Sequence, residues 1–371
     1  MTRQRRLIAG GLILGVAILA LVGTALLGAG GRPAPSGSSG SAPPSAPSGS
    51  AFLGAHASPA GSPLAGLTEG PTASLATLTP APTATPTAIP GPSSPRTPRP
   101  TATPAPPPAG LPAFRHIYLI VLENKEYGSI VGNGTAPFII GLIAHYGLAT
   151  AYDAVAHPSE PNYLALFSGS TQGVTDDAVH NLGGTNLADQ LEGHGRSWRV
   201  FAQNVPLGCD SGSVASDGED GAGTYARKHE PAISFTDISG KPGRCARISD
   251  LSHFDPAAAD FELIVPNMCN DMHDCSVATG DAFLASFVPR ISASPAFADS
   301  VVFITWDEGS SSLGRGGHVA TLVVSPRVKP GTRSATPHNH YSLLRTIEDA
   351  WGLGCLNLAC GANDMAEFFA T

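Results

Sequence analysis

Four short, uninterrupted apolar runs punctuate the C-terminal part of the chain, at His116–Leu122, Phe261–Val265, Ser300–Thr305 and Val319–Val324. Runs this short and this rich in β-branched residues mark strands buried on both faces. Helical patterns lie between them, at Pro137–Tyr146, Asn162–Phe167, Asn186–Glu192, Asp281–Ile291 and Tyr341–Trp351. Strands alternating with helices predict an α/β sandwich built on a largely parallel sheet. No internal repeat interrupts that order.

The residues just after each run bear on chemistry. Glu123-Asn124 succeeds the first, Asn267 the second with Asp271 and His273 close behind, and Asp307-Glu308 the third. Open α/β sheets bind ligands beyond the carboxyl ends of their strands. Carboxylates and amides delivered to one edge by three strands describe a site for a hard cation. A single acidic residue after a strand would be an ordinary turn.

Composition divides the chain into three parts. Arg3, Arg5 and Arg6 precede Leu7–Ala29, a stretch without a charged residue. About 20 apolar residues suffice to span a bilayer as a helix, and flanking arginines stay on the cytoplasmic side. Residues 1–30 are therefore expected to be a signal anchor, with a cleaved signal peptide as the alternative. Either places the remainder outside the cytoplasm. Residues 31–112 hold 21 of the chain's 34 prolines, with Arg32, Glu69, Arg96 and Arg99 as their only charges. Such a segment buries too little apolar surface to offset its ordering entropy and is expected to be a disordered, semi-rigid linker. Residues 113–371 form the expected catalytic domain, large enough for one substantial core.

The formal net charge of −8 and the lack of a basic stripe argue against a nucleic-acid partner. All six cysteines fall in the last part, in sequence-adjacent couples, and in an exported protein they are expected to pair as Cys209–Cys245, Cys269–Cys275 and Cys355–Cys360. Without a C-x-x-C pair, zinc thiolate binding is the weaker alternative.

Ser159 lies in His157-Pro-Ser-Glu-Pro-Asn-Tyr163, just ahead of a helical run. The plain role for a serine there is to cap the helix, with Pro161 tolerated in its first turn. The same position offers free backbone N–H groups and the positive end of a helix dipole, where phosphate binds. Beside a divalent metal, the hydroxyl would become a nucleophile.

Together, Glu123-Asn124, Pro158-Ser-Glu-Pro-Asn-Tyr163, Asn267-x3-Asp271-x-His273, Trp306-Asp-Glu-Gly309 and His340-Tyr-Ser-Leu-Leu-Arg-Thr-Ile-Glu-Asp349 resemble the bacterial and fungal phosphoesterase family of secreted acid phosphatases and phospholipases C, within the alkaline-phosphatase superfamily. The resemblance runs over nearly all of residues 113–353, with the motifs in the expected order. It implies an alkaline-phosphatase-like three-layer sandwich and a metal-dependent phosphoric monoester hydrolase working through a phosphoserine. Carried over by position, Glu123, Asn124, Ser159, Asp271, Asp307, Glu308, His318 and His340 look like ligands of one or two divalent cations. Ser159 matches the nucleophile, Asn162 a neighbouring amide, and Lys228 and His229 the basic residues that face phosphate. His273 or His229 could protonate the leaving alcohol.

The implied substrate is a phosphate monoester, with a phospholipid such as phosphatidylinositol 3-phosphate included by the family's range. Two alternatives stand beside this. A phospholipase C-type phosphodiesterase would use much of the same site, and a catalytically inactive binding module at the cell surface would need none of it. Sulfatase chemistry is disfavoured, because Ser159-Glu-Pro-Asn leads to Tyr163 where a sulfatase motif carries arginine.

Overall fold

Strand β1 (His116–Leu122) is buried along its whole length. Alternate residues of a strand face opposite sides, so a run without one exposed position needs cover on both. The same holds for β6 (Phe261–Val265), β7 (Ser300–Trp306) and β8 (Thr321–Val324). The computed structural model describes residues 110–206, 209, 224–310 and 315–369. The expected membrane segment and the linker as far as residue 109 lie outside these. Leu111 is already part of the core.

The remaining elements, in chain order, are α1 (Tyr127–Ile130), α2 (Pro137–His145), β2 (Gly147–Ala149), β3 (Tyr152–Asp153), α3 (Ser159–Ser168), α4 (Leu187–Gly193), β4 (Trp198–Ala202), α5 (Thr236–Ser239), α6 (Pro242–Cys245), β5 (Ile248–Asp250), α7 (Val277–Ser292), β9 (Arg333–Ser334), β10 (His338–Asn339) and α8 (His340–Trp351). Eight strands form one sheet in the order β5-β4-β6-β1-β7-β8-β2-β9, and β10 pairs with β3 in a second, two-stranded sheet. Within the large sheet β8 alone runs against the others. Helices α2 and α7 pack together, and α3 packs on α8. The expected mixed α/β architecture with a mostly parallel central sheet is what the chain adopts.

This topology positions the site. β1 pairs in parallel with β6 on one side and β7 on the other, with Leu122 level with Trp306. The next residues along those two strands, Glu123 after β1 and Asp307 after β7, therefore emerge side by side at the carboxyl edge. Helix α3 is buried at every position, as expected of a helix enclosed on all sides. It ends at Gly169, whose φ of 69° is the left-handed conformation glycine adopts without penalty. An added Cβ there would meet the Leu356 carbonyl oxygen at 2.2 Å, so the last turn of α3 is locked against the segment after α8.

Candidate active site

Ser159 is the first residue of α3, and Pro158 takes the capping position without a side-chain cap bond. The capping role open to Ser159 is thus not the one it plays. Its Oγ donates instead toward two carboxylates from separate strand ends, lying 3.2 Å from Glu123 Oε2 and 3.5 Å from Glu308 Oε1. The single hydroxyl proton serves only one of them at a time. Asn162, one turn along, fixes the approach to the helix. Its Oδ1 accepts from the backbone N–H of Val155 at 3.0 Å and of Ala156 at 2.9 Å, and its Nδ2 donates to Ala156 O at 2.9 Å. The same Nδ2 is 3.4 Å from Glu308 Oε2. The residue expected to offer an amide to phosphate thus mainly holds the loop that delivers Ser159.

Four acidic side chains are buried here: Glu123, Asp271, Asp307 and Glu308. Burial raises the carboxyl pKa of each, and the neighbouring carboxylates raise Glu123 and Glu308 further. Asp307 accepts the Asn124 backbone N–H through Oδ1 at 3.1 Å, and Asn124 stands in the left-handed region at φ 51°. Asp307 Oδ2 and Asp271 Oδ2 are buried without a hydrogen-bond partner. So are both ring nitrogens of His229, which lie 3.3 Å from Glu123 Oε1 and 3.4 Å from Asp271 Oδ2. Burial, with Lys228 and His273 nearby, drives His229 well below the usual imidazole range and keeps it neutral.

The expected residues separate into two groups. Glu123, Asn124, Ser159, Asn162, His229, Asp271, Asp307 and Glu308 converge through the contacts just given, and His273 borders them, its ring 5.9 Å from that of His229. Lys228 faces Asp177, with Nζ 2.9 Å from Oδ2. His340 is different. Its Nε2 lies 2.5 Å from the Asp307 backbone oxygen and its Nδ1 3.1 Å from the Tyr152 hydroxyl, so both ring nitrogens are engaged away from the carboxylates. His318 stacks on Tyr127 with Nε2 at 3.1 Å from Thr150 O. These two histidines brace the strand ends where the sequence had suggested ligands.

Sequence reasoning missed three groups. Tyr163 donates to Glu123 Oε1 at 2.5 Å and stacks on His229 with ring centroids 5.2 Å apart. It stands four residues after Ser159, hence on the same helix face, a spacing that could have flagged it. His157 Nδ1 is 2.5 Å from Glu308 Oε2 and sits two residues before Ser159. Asp177 comes from an irregular segment and carried no sequence signal.

Among the described residues, no three His, Cys, Asp or Glu side chains stand together ready-made at ligating spacing. The charge inventory nonetheless suits a cation. Four buried carboxylates repel one another, two of their oxygens lack any donor, and a neutral imidazole with two unpartnered nitrogens lies between them. Positive charge at that point would restore the ordinary acidity of the carboxylates and give those atoms partners.

The model of the phosphoesterase family matches residues 130–354. The chain is 33% identical over 263 residues to a phosphatidylinositol-3-phosphatase of Mycobacterium tuberculosis, covering 70% of this chain and 85% of that one. It is 30% identical to a probable acid phosphatase of Kluyveromyces lactis (70% of this chain, 63% of that one) and 28% identical to an acid phosphatase of Aspergillus fumigatus (68% and 58%). Among solved structures, an alkaline phosphatase superfamily protein of Vibrio parahaemolyticus overlays with a TM-score of 0.47 at 12% identity, covering 71% of this chain and 75% of that one.

Proposed function

The chain belongs to the phosphoesterase family and hydrolyses phosphate esters, and we propose that it does so as a metal-assisted phosphomonoesterase whose nucleophile is Ser159. The observation that carries this reading is the Ser159 hydroxyl, buried at a helix start within reach of carboxylate oxygens from two separate strands.

Glu123, Asp307 and Glu308 would hold a divalent cation, with Asn124, Asp271 and His229 beside them. That ion would lower the pKa of the serine hydroxyl and offset negative charge on the phosphoryl oxygens. The chain's own groups do the rest. Ser159 gives up its proton toward Glu123 or Glu308 as its Oγ attacks phosphorus. The first N–H groups of α3 and the Lys228 ammonium receive the phosphoryl oxygens. The ester oxygen leaves with a proton, supplied by His273 at the border of the site. Water then cleaves the Ser159 phosphoester to release inorganic phosphate.

A phosphoinositide monophosphate is the substrate class we favour, supported by the 33% identical relative named for phosphatidylinositol 3-phosphate. An uncleaved Leu7–Ala29 helix would hold the enzyme at a membrane where such a lipid is presented. The three disulfides fit an extracytoplasmic setting.

The test is hydrolysis of an aryl phosphate by the full chain, by Ser159→Ala and after chelation. The serine variant is expected to fold and to lose at least about a thousandfold in kcat, as nucleophile deletions do. Chelation should abolish turnover until a divalent ion is restored. Near wild-type turnover in Ser159→Ala sinks the nucleophile assignment, and full activity after exhaustive chelation sinks the metal.

A further inference from the structure

Lys228 and the start of α3 are the two groups that the proposed function assigns to the phosphoryl oxygens. Both are already occupied by one side chain. Asp177 Oδ1 accepts the backbone N–H of Glu160, the second residue of α3, at 2.9 Å. Its Oδ2 accepts from Lys228 Nζ, also at 2.9 Å. A carboxylate thus bridges a helix dipole end and an ammonium, as two oxygens of a phosphate group would.

The place is the catalytic one. Glu160 adjoins Ser159, and the charges of both Asp177 and Lys228 act on Glu308, whose Oε1 is 3.5 Å from the Ser159 hydroxyl. Asp307, whose Oδ2 is buried without a hydrogen-bond partner, acts on Lys228 through its charge. The Lys228 side chain is only 5% exposed, whereas that of Asp177 is 17% exposed. Asp177 sits in a stretch between Gly173 and Gly184 in which Val174 is the only buried side chain. A change of side-chain rotamer would take its carboxylate toward water.

We propose that Asp177 is a built-in stand-in for the substrate's phosphoryl group: its carboxylate fills the anion position between the α3 N-terminus and Lys228 in the free enzyme, and substrate must displace it. This inference rests on the proposed phosphatase function and extends it to a specificity-determining residue. The exchange is one of anions. Asp177 gives up one N–H and one ammonium contact, and the phosphoryl oxygens take them. The arrangement also keeps a buried lysine and a helix end from facing the site without a counter-charge between turnovers. Its consequence is a penalty on every anion that enters. A ligand too weakly charged to replace both contacts leaves Asp177 in place.

The test compares wild type with Asp177→Asn, which keeps an oxygen acceptor for Glu160 N–H but removes the charge that competes for Lys228. Calorimetric titration of the full chain with inorganic phosphate reads affinity without requiring turnover. Displacement predicts a Kd lower by about tenfold in the variant, the equivalent of one charge-assisted hydrogen bond lost from the competing state. A Kd within about twofold of wild type, the size of a surface ion pair, or a weaker one, overturns the proposal. The weaker result means that Asp177 only orients Lys228. Should Asp177→Asn fail to fold, Asp177→Ser carries the same expectation. Lys228→Met provides the contrast, since it must weaken phosphate binding if the ammonium receives phosphate. Wild-type inactivity toward all phosphate esters would instead defeat the functional reading, and the phosphate titration keeps the two failures apart.

Discussion

The three disulfides separate stability from activity in a way the structure lets one calculate. Cys209–Cys245 closes a separation of 36 residues, Cys269–Cys275 one of 6, and Cys355–Cys360 one of 5. In the chain-entropy account, the cost of removing a crosslink grows with the logarithm of the loop it closes. Separations of 36 and 6 then correspond to about 4 and about 2 kcal/mol. Stability alone therefore ranks Cys209–Cys245 first. Activity ranks differently, because the short Cys269–Cys275 loop carries Asp271 and His273. Its Asp271 carbonyl accepts the Glu123 backbone N–H at 2.8 Å, and its Met272 carbonyl holds Lys125 Nζ at 2.7 Å. Met272 itself is held at a φ of 83°, a conformation a bulky residue keeps only when its surroundings impose it. Opening this loop frees the residues that border Glu123.

The assay is paired. Thermal melts and kcat toward an aryl phosphate are measured for the double-serine variants of each bridge. The variant lacking Cys209–Cys245 is expected to melt lowest yet retain kcat below its transition. The one lacking Cys269–Cys275 should melt higher than that and turn over slower by about tenfold or more, as displacement of a catalytic group by roughly 1 Å produces. If kcat tracks the melting temperature across the three variants, the loop has no special claim on the site and the reasoning fails.

Other expectations rest on particular groups. Tyr163→Phe keeps the ring stacked on His229 but removes the donor to Glu123, so kcat should fall about ten- to a hundredfold, one hydrogen bond to a charged group, with the fold intact. Unchanged kcat in that variant would show Glu123 to be fixed by other means. Glu262 lies fully buried on β6, and burial pushes its pKa up to about 8. Its folded pKa exceeds its unfolded one, so the folded state holds the proton longer and stability is lost as pH rises from about 4 toward 8. Glu262→Gln should flatten that slope and melt above wild type at pH near 8, and a melt with the wild-type pH slope would count against it.

The sheet edge was legible in the sequence because a strand buried on both faces leaves an unmistakable apolar run, and Glu123, Asp307 and Glu308 come directly after such runs. The start of α3 was legible from Pro158-Ser159 for a similar local reason. Other features were set by tertiary context. Strand β4 escaped notice because Arg199 interrupts its five residues, and β2 and β5 are three residues each, too short for a period to register. His318 and His340 stand close to the carboxylates in chain order of motifs, yet Nε2 of His318 is claimed by Thr150 O and both ring nitrogens of His340 by Asp307 O and the Tyr152 hydroxyl, partners far away in sequence. Asp177 shows the limit most clearly. Its role comes from facing Glu160 and Lys228 at once, and neither residue type nor spacing announces that meeting.

The claim beneath the whole account is that phosphorus becomes bonded to Ser159 Oγ before water releases it. Rapid acid quench of the full chain during turnover of an aryl phosphate, with mass spectrometry of the peptide carrying Ser159, reads this directly. The account predicts a phosphoryl group on Ser159 that appears within a single turnover and disappears when substrate is exhausted. Phosphorylation of another residue, or steady turnover with inversion at phosphorus and an unmodified Ser159, would contradict it.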